Sequence, residues 1–198
     1  MFETLISKLQ DDKYLTLETT PQHEPSMHNI VEKIKKFKID SKVDGFTCTD
    51  NPLAKLKYNS LFAALKLQQE FKKPVIATMT MRDRNKIALQ SDLLGANDFD
   101  IRAILALTGD PANMSDQPNS KGVFEANSLM LLKMIKSFNY GMDFAGRPFK
   151  IEPKQIFPFA VVNAYAKNFG SLEKKMHLKI QNGAVGVITQ PVFDIENV

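Results

Sequence analysis

The chain has a single cysteine, Cys48, in 198 residues. A lone thiol excludes an internal disulfide framework and fits a reducing cytoplasm. No apolar run approaches the roughly 20 residues that a membrane-spanning helix needs. The N-terminus, MFETLISKLQDD, carries Glu3 and has no basic segment leading into an apolar core and a small-residue cleavage site, so no signal peptide is expected. Several chemistry-bearing motifs are missing as well. There is no G-x-G-x-x-G after the first strand, no G-x-S-x-G elbow and no Cys–His pair at a motif spacing. His23 and His28 are separated by Pro25, and His177 lies in a lysine-rich helix, so no protein-bound metal is expected. Cys48 reads as a buried strand residue rather than a nucleophile. Neither internal repeats nor low-complexity segments occur.

What is present is an ordinary globular composition, 43% hydrophobic and 24% charged, enough for one substantial core and one domain over residues 1–198. The net charge of +4 rests on lysines that fall on helix faces, as in KIKKFK at 33–38. That pattern reads as a solvated face rather than a nucleic-acid patch, and a modest positive field suits an anionic small ligand. No nucleic-acid or membrane partner is expected.

Strand and helix signals alternate along the whole chain. Helices are expected over 2–10, from Pro25 to Phe37 (Ile30, Val31, Ile34 and Phe37 on one face), over 57–71 (Leu61, Phe62, Leu65 and Leu67 apolar), and over 86–97, 126–138 and 171–182. Strands are expected over 13–19, 43–48, 75–79, 101–107, 159–163 and 185–189, each ending in a polar or Gly/Pro-containing turn. Such alternation specifies a parallel sheet with right-handed crossovers. A doubly wound sheet needs about five or six strands, and a closed (β/α)8 TIM barrel eight in roughly 250 residues. Six βα units are visible, and a new helix is expected to begin near Asp194. A barrel incomplete at its C-terminus is therefore one reading of the chain.

In sheets and barrels of this kind the chemistry sits at the C-terminal ends of the strands. Those ends carry Glu18, Thr49-Asp50-Asn51, Thr80 with Arg82-Asp83-Arg84-Asn85, Thr108-Gly109-Asp110, Asn163 and Gln190. Asp110 is the centre of this set. The run IRAILAL feeds it to the mouth of a strand buried on both faces, in a Gly-Asp-Pro turn followed by a long polar loop. Each residue also has a plainer role open to it. Asp110 can be a turn residue, Glu18 a cap or lysine partner, and Arg82-Asp83-Arg84 a surface ion-pair cluster.

The stretches MRDRNKIALQSDLLGANDFDIRAILALTGDPANMSDQP, GVFEANSLMLL, VNAYAKN and NGAVGVITQPVFD, with ETTP and TDNPLAK in order before them, resemble the flavin-dependent methylenetetrahydrofolate reductases. The similarity is greatest to the variety also found fused to homocysteine methyltransferases. The resemblance covers nearly the whole chain and implies an eight-stranded barrel holding FAD at its mouth. It implies a ping-pong reaction in which NADH or NADPH reduces the flavin and 5,10-methylenetetrahydrofolate then takes the hydride from flavin N5. It makes Glu18 and Asp110 catalytic, Glu18 as the acid that protonates the folate. It places Asp50, Thr78, Thr108, Gly109, Asp110, Asn163 and Lys179 on the flavin, and Thr49, Asp110 and Gln190 on substrate. It further implies a flavoprotein of one-carbon metabolism and methionine biosynthesis; a cytoplasmic location is expected from the lone cysteine, and a homo-oligomer because a short or open barrel favours association. The chain departs from the family's pattern in places: Gln22 follows Pro21, Thr78 stands for a flavin-contacting His, Met81 for a Cys and Ala112 for a Pro. Leu172, Lys175 and Leu178 occupy the segment where relatives place polar residues on the adenosine. The rival reading is a degenerate barrel that binds pterin or flavin without turnover, as a methyltransferase partner.

Overall fold

The structure is a computed structural model and describes residues 2–11, 13–163, 165 and 168–193. Six strands, β1 (Thr16–Thr19), β2 (Gly45–Cys48), β3 (Val75–Thr80), β4 (Ala103–Leu107), β5 (Phe157–Val162) and β6 (Gly186–Thr189), form one parallel sheet. Their spatial order is their sequence order, β1 to β6. A doubly wound sheet reverses direction at a switch point. Here each new strand adds to the same side, as in a barrel wall. The fold is TIM-barrel-like, with six strands of the wall and a helix in every crossover.

Those helices are α2 (His28–Lys36), α3 (Ser60–Phe71), α4 (Lys86–Asp98), α5 (Ser128–Asn139) and α6 (Phe169–Gln181), preceded by α1 (Phe2–Asp11). Asparagine side chains start four of them. Asn59, Asn85, Asn127 and Asn168 each accept a hydrogen bond from a backbone N–H in the first turn.

Alternation along the strands divides the core in two. Val75, Ala77 and Met79 of β3 and Ile104 and Ala106 of β4 face the helices, where they pack with Leu67, Leu89, Leu93, Leu131 and Ile135. Ile76, Ala103, Phe157 and Phe159 face the barrel interior, where Phe2 and Leu5 of α1 join them. Both α1 residues are fully buried, so α1 plugs one end of the barrel.

The six strands and six helices expected before residue 190 are present, with local corrections. Phe37 and Phe62, assigned to apolar helix faces, are 60% and 61% exposed. Phe37 is the residue beyond the last turn of α2. Phe62, at about 100° per residue, points away from the arc made by Leu61, Ala64 and Leu67. The fifth strand starts at Phe157 and ends at Val162, so it includes Pro158 and leaves Asn163 outside. Proline is tolerated there because pairing with β6 begins one residue later, at Phe159–Gly186. The helix expected near Asp194 lies outside the described residues.

Candidate active site

The inward-facing side chains change character along the barrel. Above the apolar plug the interior opens into a cavity of about 450 Å³ lined by Glu18, Thr47, Thr49, Thr78, Leu105, Phe159 and Ile188, among others. Glu18 and Thr78 lie on β1 and β3, and Thr49 directly follows β2 between them. Glu18 is exposed to this space, and no side-chain hydrogen bond or ion pair holds it among the described residues. Thr49 Oγ1 is buried and has no hydrogen-bond partner there either. A buried hydroxyl without a partner costs free energy unless something else fills the role. Glu18 and Thr49 thus line one cavity, the carboxylate unengaged and the threonine hydroxyl enclosed in the wall without a partner.

A second cleft, about 460 Å³, runs between β4, β5 and α6. Thr108, Asn163 and Lys179 line it, with Asn168, Leu172 and Lys175. Thr108 Oγ1 accepts a hydrogen bond from Ser128 N at 3.1 Å, which ties the cleft wall to the start of α5. Asn163 Oδ1 accepts from Tyr165 N at 3.0 Å. The Lys179 ammonium donates to the Val161 carbonyl. Burial pushes the Lys179 pKa down, and the neighbouring Lys175 cation pushes it further the same way. Two lysines one helical turn apart give this cleft positive charge, and no carboxylate is among its described lining residues, a setting that suits an anionic group.

Asp50 is held differently. Its side chain is 1% exposed, and Oδ2 accepts from Thr80 N and Thr80 Oγ1, each at 3.0 Å, and from Arg84 Nη1 at 2.6 Å. Arg84 also reaches Asp92 at 2.8 Å. Burial lowers the Arg84 pKa, but Asp50 and Asp92 outweigh it, and the net shift is upward. Asp50 is thus committed to locking the end of β2 to the turn after β3. Beside it Arg82 is buried, forks onto Asp83 at 2.7 and 2.6 Å, and donates to the Asn51 carbonyl at 3.1 Å. The surface ion-pair reading of RDR is corrected: Arg82 is buried and Arg84 largely enclosed, and each ties its loop to the end of β2.

Gly109 has φ +96, and a Cβ there would lie 3.0 Å from Arg82 Cβ and 3.2 Å from Thr80 Cβ. The turn after β4 therefore needs glycine on two counts, conformation and space. Asp110 follows, and its Oδ2 accepts a hydrogen bond from Leu53 N at 2.6 Å. Gln190 is exposed at the end of β6, with its backbone N–H directed to Val162 O at 3.4 Å. The structure thus brings Glu18, Thr49 and Thr78 together in one cavity and Thr108, Asn163 and Lys179 in another. Asp110 and Gln190 line neither, and Asp50 serves the frame.

A family model for methylenetetrahydrofolate reductase matches residues 3–198. The chain belongs to that family. No curated protein matches the chain. Among solved structures, this member of the methylenetetrahydrofolate reductase family is similar to 2,3-dimethylmalate lyase, described as a PEP mutase/isocitrate lyase superfamily member. Identity is 9% and the TM-score 0.57, over 98% of this chain and 65% of the other, so the likeness is one of fold alone. The chain spans 65% of that neighbour's length.

Two features of this family member escape a reading of strand ends. Lys175 joins Lys179 in the cleft, and the i,i+4 spacing on α6 is the signal that could have paired them. The turn at Asn51–Ala54, which meets Asp110, has no local signal, because its partner is more than fifty residues away in sequence. Cys48 is buried, and burial raises its thiol pKa to about 12, against a smaller opposing effect of its hydrogen bond with Thr19. A thiol held neutral this way is no nucleophile, as its strand position implied.

Proposed function

We propose that this protein reduces 5,10-methylenetetrahydrofolate to 5-methyltetrahydrofolate with NADH or NADPH, through a bound FAD, and that it is of the type also found fused to homocysteine methyltransferases. The observation that carries the proposal is the pairing in one cavity of an unengaged carboxylate, Glu18, with the orphaned Thr49 hydroxyl. The residues present fit a flavin. The lysine-lined cleft suits a diphosphate, and Thr108 and Asn163 border the same cleft. When bound, the flavin would supply reversible hydride transfer, accepting it from the nicotinamide and yielding it to the folate.

The protein's own contribution is acid chemistry and orientation. Opening the five-membered ring of the folate needs a proton on the leaving nitrogen, and Glu18 is the acid that faces the cavity. Thr49 Oγ1, enclosed in the cavity wall without a partner, would gain one on a bound ring once its side chain turns towards the cavity. Phe159, Leu105 and Ile188 give the cavity an apolar wall on which a planar ring can pack. Asp50 and Arg84 keep the loop bearing Thr49 in register with β3.

Anaerobic half-reactions test the proposal. The purified protein is expected to take up FAD, to bleach with NADH or NADPH, and to recover its flavin absorbance with methylenetetrahydrofolate. A protein that takes up FAD and folate but never bleaches or recovers is instead the binding-only barrel. A protein that takes up no FAD overturns the proposal.

A further inference from the structure

The turn between β2 and α3 is strained. Asn51, Leu53 and Ala54 have φ of 43, 56 and 57, the left-handed region that side chains other than glycine and asparagine rarely adopt. Leucine and alanine stay there only where the surroundings impose it. Leu53 is half exposed, so packing of its side chain does not impose it. Arg82 and Lys57 N hold Asn51, Ala54 is buried, and at Leu53 and Leu56 two carboxylates of the loop after β4 hold the backbone. Asp110 Oδ2 receives Leu53 N–H at 2.6 Å, and Asp116 Oδ1 receives Leu56 N–H at 3.3 Å. The first contact uses the acid that the family resemblance places on flavin and pterin. While it holds Leu53, Asp110 lines neither the Glu18 cavity nor the Lys179 cleft.

We propose that Leu53 is a positioning residue for Asp110. Its backbone N–H holds the carboxylate on the β2–α3 turn in the free protein. A ligand that offers paired N–H donors, such as the amino-pyrimidine edge of a pterin, draws Asp110 away, and the turn at 51–54 then relaxes. The inference rests on the folate-reductase reading and adds a coupling to it. A carboxylate accepts hydrogen bonds only, so the exchange is one donor for another, and the strain released on leaving Leu53 favours the ligand-bound arrangement.

Hydrogen exchange at the Leu53 amide, on the full chain loaded with FAD, tests this with and without saturating tetrahydrofolate. The Leu53 amide is expected to exchange at least about tenfold faster once folate is bound, while Ala77 and Met79 in β3 do not change. Leu53→Gly keeps the N–H and removes the strain, so it should hold the latched form more firmly. The folate KM should rise about fivefold or more, with flavin reduction by NADH or NADPH unchanged; Leu53→Asn should fall between the two. A Leu53 amide that is unaffected or slowed by folate overturns the positioning role, even if folate reoxidises the flavin. A protein whose flavin does not respond to folate and that binds none defeats the functional reading, and this inference with it.

Discussion

Replacing Arg84 by Met removes the cation that faces the most enclosed carboxylate of the site. The Asp50 side chain is 1% exposed and that of Arg84 11%, with 2.6 Å between them. After the change Asp50 keeps only the two Thr80 donors at 3.0 Å. Breaking a buried pair from one side costs about 3–5 kcal/mol, because a charge is left without compensation. The contact to Asp92, whose side chain is 34% exposed, adds little. With the Thr80 donors still in place, a loss of about 3 kcal/mol is expected, a fall in Tm of roughly 6–12 °C for a chain of this size. Urea unfolding should show it as a lower midpoint at constant slope. The double variant Asp50→Asn/Arg84→Met should regain at least about 1 kcal/mol, since a neutral amide can still accept from Thr80 N. A loss below about 1 kcal/mol in the single variant, or a double variant no better than the single, would refute the view that Asp50 is a buried charge sustained by Arg84.

Further outcomes follow from the same geometry. Gly109→Ala should destabilise by about 1–3 kcal/mol in urea unfolding, from its φ of +96 and the 3.0 Å approach to Arg82 Cβ; a neutral result would mean that the turn is not constrained. Lys179→Met should leave the flavin-free protein as stable or more stable, while weakening FAD binding about tenfold or more in a spectroscopic titration. Its pH dependence has a definite sign. The folded pKa of Lys179 lies below its unfolded value, so the cation costs stability at neutral pH. That cost shrinks as pH rises from the folded pKa towards the unfolded one, where the stability curves of variant and parent should converge.

Local signals were enough for the frame. The apolar run of β4 is a strand as expected, buried on its helix side at Ile104 and Ala106 and only partly on the other at Leu105 and Leu107, and the glycine after it is required by both angle and space. Position at the strand ends marked Glu18 and Thr49, the family resemblance marked Thr78, and the structure puts the three in one cavity. Helix faces were less legible. Phe62 belongs to an apolar stretch but projects outward, since composition does not say where the core-facing arc ends. Long-range partners were not legible at all. Asp50 meets Arg84 across 34 residues and Asp110 meets Leu53 across 57, and no periodicity links such pairs. Both acids sat at the expected strand ends, yet their partners, not their positions, decide what each does in the free protein.

The central claim is that Glu18 gives its proton to a folate reduced by a flavin in this barrel. Glu18→Gln keeps the shape and removes the acid, so stopped-flow absorbance of the two anaerobic half-reactions tests the claim directly. The account predicts that NADH or NADPH reduces the flavin at the parent rate, while reoxidation by methylenetetrahydrofolate slows by about 10²–10⁴-fold. Equal slowing of both halves, or an unchanged reoxidation rate, would contradict it.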